Sequence, residues 1–216
     1  MNPTWLKPPV FIASLLPLAW YLWGVQADTL GANPIEAVTR GLGTWALNFL
    51  LITLTITPLR KYSGWAWLVR LRRMLGLFAF FYVVLHLTTY LWLDQFFDWM
   101  AIAKDILKRP FITVGMTAFF LLLPLALTSN NAALRKLGGR RWQKLHRSVY
   151  VIAMLAVLHY FWMVKADTTK PLIYAVLLFM LLSVRILWRI QERRRQQAAN
   201  YSPKPPQRVI PITVKR

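Results

Sequence analysis

Residues 70–93 read RLRRMLGLFAFFYVVLHLTTYLWL, and the fold turns on how this stretch is understood. After Arg70, Arg72 and Arg73, no Asp, Glu, Lys or Arg occurs from Met74 to Leu93. At about 1.5 Å per residue, a helix of that length covers roughly the 30 Å of a bilayer's hydrocarbon core. Its apolar side chains cover every face rather than one stripe, which is the pattern of a membrane span and not of a surface helix. His86 is the one imidazole of the run.

Five more runs of this kind flank it: Val10–Val25, Leu42–Leu59, Phe111–Thr128, Val149–Val164 and Pro171–Trp188. The 216 residues are 57% hydrophobic and only 16% charged, which excludes disorder and most water-soluble folds. The expected class is therefore all-α, a six-helix transmembrane bundle. Pro17, Pro58 and Pro124 fall within or at the ends of spans, where neighbouring helices can satisfy the carbonyls they free.

The segments between the runs alternate in charge. Arg40, Lys104, Lys108, Arg109, Lys165 and Lys170 share one side with Asp28, Glu36, Asp94, Asp98, Asp105 and Asp167. All other Lys and Arg fall on the opposite side with Glu192, so that side carries the whole +20. By the positive-inside rule the basic side, with both termini, is cytoplasmic. Trp5, Trp20, Trp23, Trp65, Trp92 and Trp162 suit interfacial belts. The basic surface reads as a topology signal in contact with membrane lipid, and no nucleic acid is expected. A signal peptide ending near Ala27 is the competing reading of the first run, opposed by Pro17 and the bulky Trp20, Tyr21 and Trp23. Two parts are expected: a six-span domain over 1–190 and a basic cytoplasmic tail over 191–216, with Arg193, Arg194 and Arg195, that need not be ordered.

The chain has no cysteine, hence no disulfide, thiolate-bound metal or iron–sulfur cluster. Gly41-Leu42-Gly43-Thr44-Trp45-Ala46 matches a dinucleotide-binding string, but it opens a span and follows no strand, so it is a chance match. After the sixth run too little chain remains for a flavin or nicotinamide domain. An electron carrier built on this bundle would need an external donor.

Three histidines are left. An ionisable side chain in hydrocarbon is costly unless it faces the bundle interior and has a partner. Any one of them could be a neutral imidazole bonded to a neighbouring hydroxyl or carbonyl, and His146 could be an interfacial residue of a basic loop. With spans three and five running in the same direction, His86 and His159 lie at similar depth towards the less charged side. His146, 13 residues before His159, lies roughly 20 Å lower and about 140° around an ideal helix. A non-helical start near His146, or helix tilt, must correct that angle if both are to face one partner. Two histidines at one depth on two helices suit the axial positions of a haem, with Phe78, Phe81, Tyr82 and Phe161 expected to line it. Three histidines so spread cannot share one zinc ion. A proton-coupled transporter or channel with a histidine relay, and a non-catalytic anchor subunit, are the other readings, and the first of these lacks acidic partners within the runs.

Several motifs together resemble a known family. They are Thr57-Pro58-Leu59, Arg72-Arg73-Met74-Leu75-Gly76-Leu77, Leu85-His86-Leu87-Thr88-Thr89-Tyr90, Arg141-Trp142-Gln143-Lys144-Leu145-His146, His159-Tyr160-Phe161-Trp162 and Pro171-Leu172-Ile173-Tyr174. From Trp5 to Trp188 the chain resembles the MsrQ (also YedZ) haem-binding membrane subunits of bacterial methionine sulfoxide reductase systems, within the ferric-reductase-like transmembrane group. The resemblance implies a b-type cytochrome carrying one or two haem b groups held by His86, His146 and His159, and it admits an FMN for which the residues offer no placed site. It further implies electron transfer from the quinone pool or a cytoplasmic flavin reductase to a periplasmic molybdopterin methionine sulfoxide reductase subunit that repairs oxidised proteins. Catalysis itself would sit on that partner. Related oxidases carry a second histidine on the third span about 14 residues before the first, about 40° from the same face. Here that position is Arg72, either a lipid-phosphate anchor or a group at an inner haem layer, opposite His146 or paired with a propionate.

Overall fold

The computed structural model describes residues 4–201, and among them every regular element is a helix. In chain order these are α1 (Lys7–Gln26), α2 (Pro34–Ser63), α3 (Val69–Thr89), α4 (Trp99–Lys108), α5 (Pro110–Leu127), α6 (Asn131–Leu137), α7 (Gly139–His146), α8 (Val149–Met163) and α9 (Thr169–Tyr201). Six stretches are long and apolar enough to cross a membrane: Lys7–Gln26, Pro34–Ser63, Ala66–Asp94, Pro110–Leu127, Gly139–Met163 and Thr169–Ala198. They contain the six expected runs to within one residue, and the protein is a multi-pass membrane bundle.

Local chemistry sets the boundaries. Asn33 caps α2 by accepting the Glu36 N–H at 3.1 Å, Pro34 takes the first turn, and Gly64 at φ 75° ends the helix by donating to the Arg60 carbonyl. α3 widens at Tyr90–Asp94 into a π-helical turn. Asp98 then caps α4, an amphipathic helix that the loop sequence did not announce.

Two packed pairs, α2 with α3 and α5 with α8, form the centre, with Ala79 and Ala153 almost fully buried where backbones come close. Phe11, Phe49, Phe78 and Tyr82 stack into an aromatic wall among α1, α2 and α3. The outward surface is apolar as well; Phe179 is 71% exposed, as expected of a side chain facing lipid.

Side chains insert beside two of the prolines. Tyr82, with no exposed surface, inserts its hydroxyl into α1 beside Pro17, donating to the Ser14 carbonyl at 2.8 Å and accepting the Leu18 N–H at 3.2 Å. Pro58 has no N–H to give the Leu54 carbonyl four residues earlier. The Arg185 guanidinium of α9 donates to that carbonyl instead, and also to Leu181 of its own helix at 3.1 Å. Arg185 thus belongs to the bundle interior, although the sequence placed it at the start of the basic side.

α9 continues without a break through position 191, so the basic tail begins inside a helix. Residues 202–216 lie outside the described residues.

Candidate functional site

His86 of α3 and His159 of α8 face each other, with ring centres 6.2 Å apart and ring planes at 78°. Each ring is held the same way. Nδ1 of His86 donates to the Thr39 carbonyl of α2 at 2.8 Å, and Nδ1 of His159 donates to the Phe111 carbonyl of α5 at 2.6 Å. A carbonyl can only accept, so each neutral imidazole carries its proton on Nδ1 and keeps the Nε2 lone pair. Among the described residues Nε2 of neither ring has a hydrogen-bond partner.

A glycine four residues after each carbonyl makes this approach possible. A methyl group on Gly43 would stand 3.0 Å from Nδ1 of His86, and one on Gly115 would stand 2.8 Å from Nδ1 of His159. The glycine string at 41–46 therefore has a structural meaning, since Gly41 also accepts the ring of Tyr21 against its backbone. It is a pair of close contacts inside a span and not a nucleotide loop.

The two rings border a cavity of about 580 Å³ between α2, α3, α5 and α8. Leu47, Leu50, Ala79, Val83, Phe119 and Ile152 give it an apolar body. Its rim carries Arg40, paired with Glu36 at 2.5 Å, and Arg109, paired with Asp105 at 3.0 Å. Tyr90, in the π turn, also lines it and donates to Asp105 at 3.2 Å. Thr39 contributes a buried hydroxyl oxygen without a partner.

The expected aromatic lining lies elsewhere. Phe78 and Tyr82 belong to the α1 wall, and Phe81 and Phe161 are exposed outside the cavity. Helical phase accounts for this: Ala79, Val83 and Tyr90 stand seven and three residues before and four after His86, on its own face, whereas Phe81 points well away from it.

His146 is not in this cavity. α7 ends there, and a turn at Arg147–Ser148 separates it from α8. The ring stacks on Trp142 with centres 3.7 Å apart, Nδ1 donates to the Trp142 carbonyl at 3.1 Å, and Nε2 lies 3.4 Å from the Ser129 hydroxyl. Arg72 is close enough to interact electrostatically with both His146 and Arg185. The structure thus brings His86 and His159 together at one level and groups His146 and Arg72 at the basic end.

This donor set fits a haem. Two metal–imidazole bonds of about 2 Å, plus roughly 1.2 Å from each nitrogen to its ring centre, put facing ring centres about 6.4 Å apart, close to the 6.2 Å observed. Among the described residues no three His, Asp or Glu side chains converge on a common point, so a bare ion has no cage there. An apolar macrocycle with charged edge groups suits an apolar cavity with an arginine rim.

Residues 42–157 match the family model described as ferric reductase like transmembrane component. The chain is 61% identical over 191 residues to a protein of Azospira oryzae, covering 88% of this chain and 80% of that one. It is 55% identical over 197 residues to one of Herminiimonas arsenicoxydans, covering 90% of each. A third relative, from Rhodospirillum rubrum, is 57% identical over 189 residues, covering 88% of this chain and 91% of that one. All three are described as the protein-methionine-sulfoxide reductase heme-binding subunit MsrQ.

Proposed function

The chain belongs to the MsrQ family of haem-binding subunits within the ferric-reductase-like transmembrane proteins, with a membrane electron-transfer role, and from that premise we propose that His86 and His159 are the axial ligands of a b-type haem. The observation that carries this is the pair itself: two imidazoles 6.2 Å apart, each with Nδ1 spent on a helix carbonyl and Nε2 left over. When bound there, the haem supplies reversible one-electron chemistry in a site closed to water on most sides.

The protein's own residues do the rest. The Thr39 and Phe111 carbonyls fix the tautomer and raise the basicity of the ligating nitrogens. Gly43 and Gly115 let the rings lie close enough to reach those carbonyls. Arg40 and Arg109 place positive charge at the rim, where the carboxylates of a haem would need it, and Glu36 and Asp105 hold them in place. Because each Nδ1 is tied to a backbone carbonyl, the pair forms no chain along which protons could pass, which weighs against a histidine relay for transport.

We place the basic end in the cytoplasm of a bacterial cell, which sets the histidine pair in the outer half of the inner membrane. Electrons then come from the quinone pool or a cytoplasmic flavin reductase and leave to a periplasmic molybdopterin enzyme that reduces methionine sulfoxide. His146, with Arg72 within electrostatic reach, is the position for a second, inner haem. It would have to give up its contact with Ser129 to bind iron, so that site should load more weakly. No FMN site is proposed.

The test is a reduced-minus-oxidised spectrum of the purified protein with haem counted per chain. Wild type should show the bands of a low-spin b-type haem. His86→Ala and His159→Ala should each lose them while the protein still inserts in the membrane. Unchanged bands in both variants would remove the assignment.

A further inference from the structure

A second cleft, of about 1020 Å³, lies beside the histidine cavity between α1, α2, α8 and α9. The two share Arg40, Thr44, Tyr160 and Met163 as walls, and Tyr160 follows His159 directly in the chain. The mouth of the cleft carries Lys165, Asp167 and Lys170. Its side is edged by Ile173 and Leu177, which are 52% and 46% exposed and face the level of the lipid.

Its floor is polar without being charged. Asn48, about 12 Å along α2 from Arg40, accepts the Tyr174 hydroxyl at 2.7 Å, which leaves its amide N–H groups without a partner. Tyr21 and Tyr160 also line the cleft, and their hydroxyls make no hydrogen bond among the described residues. Many polar groups elsewhere in the spans are satisfied, although the Thr39 hydroxyl of the histidine cavity is not. Ser14, Thr53, Thr55 and Thr117 donate to carbonyls of their own helices, and Tyr82, Tyr90 and Tyr174 all have partners. Unspent hydrogen-bonding groups at bilayer depth are costly, and three residues that carry them line this one cleft.

We propose that this cleft binds the headgroup of a membrane quinol, with the Asn48 amide and the Tyr21 and Tyr160 hydroxyls as partners of its ring oxygens. Neutral donors and acceptors suit the neutral hydroxyl or carbonyl oxygens of such a ring. A phosphate-bearing ligand would need free cations at the floor, whereas the lysines stand at the mouth and Arg40, on the shared wall, is paired with Glu36. The apolar side past Ile173 and Leu177 gives the isoprenoid tail a way into the bilayer, and the volume suits a substituted ring. Oxidation there releases two electrons and two protons and leaves the quinone. The protons pass to water at the mouth, and the electrons pass singly across the shared wall to the haem proposed above. The inference rests on that haem and names its donor's site.

The experiment uses the haem-loaded protein in lipid nanodiscs, with ubiquinol-1 as probe and haem reduction followed by stopped flow, rates being expressed per haem. Asn48→Leu and Tyr21→Phe remove hydrogen-bonding groups, and Leu177→Trp obstructs the side opening from a lipid-facing position. Each should raise the half-saturating quinol concentration about three- to tenfold, while dithionite still reduces all the haem. Wild-type concentration dependence in all three variants overturns the site. So does a loss confined to binding of a spin-labelled anionic phospholipid, with quinol kinetics untouched. Failure of the haem assignment would show itself separately, as wild-type protein without haem bands.

Discussion

A methyl group on Gly115 would stand 2.8 Å from Nδ1 and 2.9 Å from Cε1 of His159, closer than side-chain carbons pack, while on Gly43 the same group meets His86 at 3.0 and 3.1 Å. Neither ring can retreat without lengthening its bond to the Phe111 or Thr39 carbonyl. Gly115→Ala should therefore weaken haem retention by about 10–100-fold, the range seen when an outer partner of a ligating histidine is lost. Gly43→Ala should act in the same direction but less. Titrating haem into the stripped variants reads this directly, and equal affinity of Gly115→Ala and wild type would show that the ring is not held as described. The Gly43 signal was present in the sequence, as a glycine string inside a span that no nucleotide fold could use. Gly115 stood in a uniformly apolar run and drew no notice, because what makes a glycine necessary is the neighbour that approaches it.

Helices carry the next constraint. Pro58 frees the Leu54 carbonyl in the middle of α2, and Arg185 of α9 takes it up. An interior arginine without an acidic partner is costly in a membrane, and this one is offset by two carbonyls and by the Tyr150 ring 5.5 Å away. Arg185→Met should lower stability by about 1–3 kcal/mol, the cost of an unsatisfied buried polar group. Pro58→Ala restores an N–H to Leu54 within the helix, so Arg185→Met should cost clearly less in that background. Thermal unfolding in detergent of the two single variants and the double variant measures the coupling; strictly additive effects would mean that the carbonyl contact is not what holds Arg185. The proline was legible in the sequence and its need for a partner could be stated. Which side chain met that need could not, because Leu54 and Arg185 are 131 residues apart.

For the whole molecule the governing asymmetry is charge: apart from Arg185 among the helices, one end carries all of the net positive charge and the other nets zero. The absence of native cysteine makes sidedness simple to test. A single cysteine at the exposed Ala32 should react with an impermeant maleimide on intact cells, and one at the exposed Gln143 only after the membrane is opened; the opposite pattern would invert the electron path proposed here. By itself the sequence determined the number of spans, the apolar run at the centre of each, the charged end and the shared depth of His86 and His159. Each of these follows from local composition and from helical rise, which need no knowledge of neighbours. The tertiary structure alone decided which groups meet: the carbonyls of Thr39 and Phe111 on the imidazoles, Ala79 and Val83 rather than Phe81 and Phe161 on the cavity wall, His146 against Trp142 and Ser129, and three unspent polar groups in one lateral cleft. In a bundle that is apolar on every face, hydropathy does not say which face of a helix turns inward. That choice is made by close packing between helices and by the requirement that each polar group in hydrocarbon find a partner.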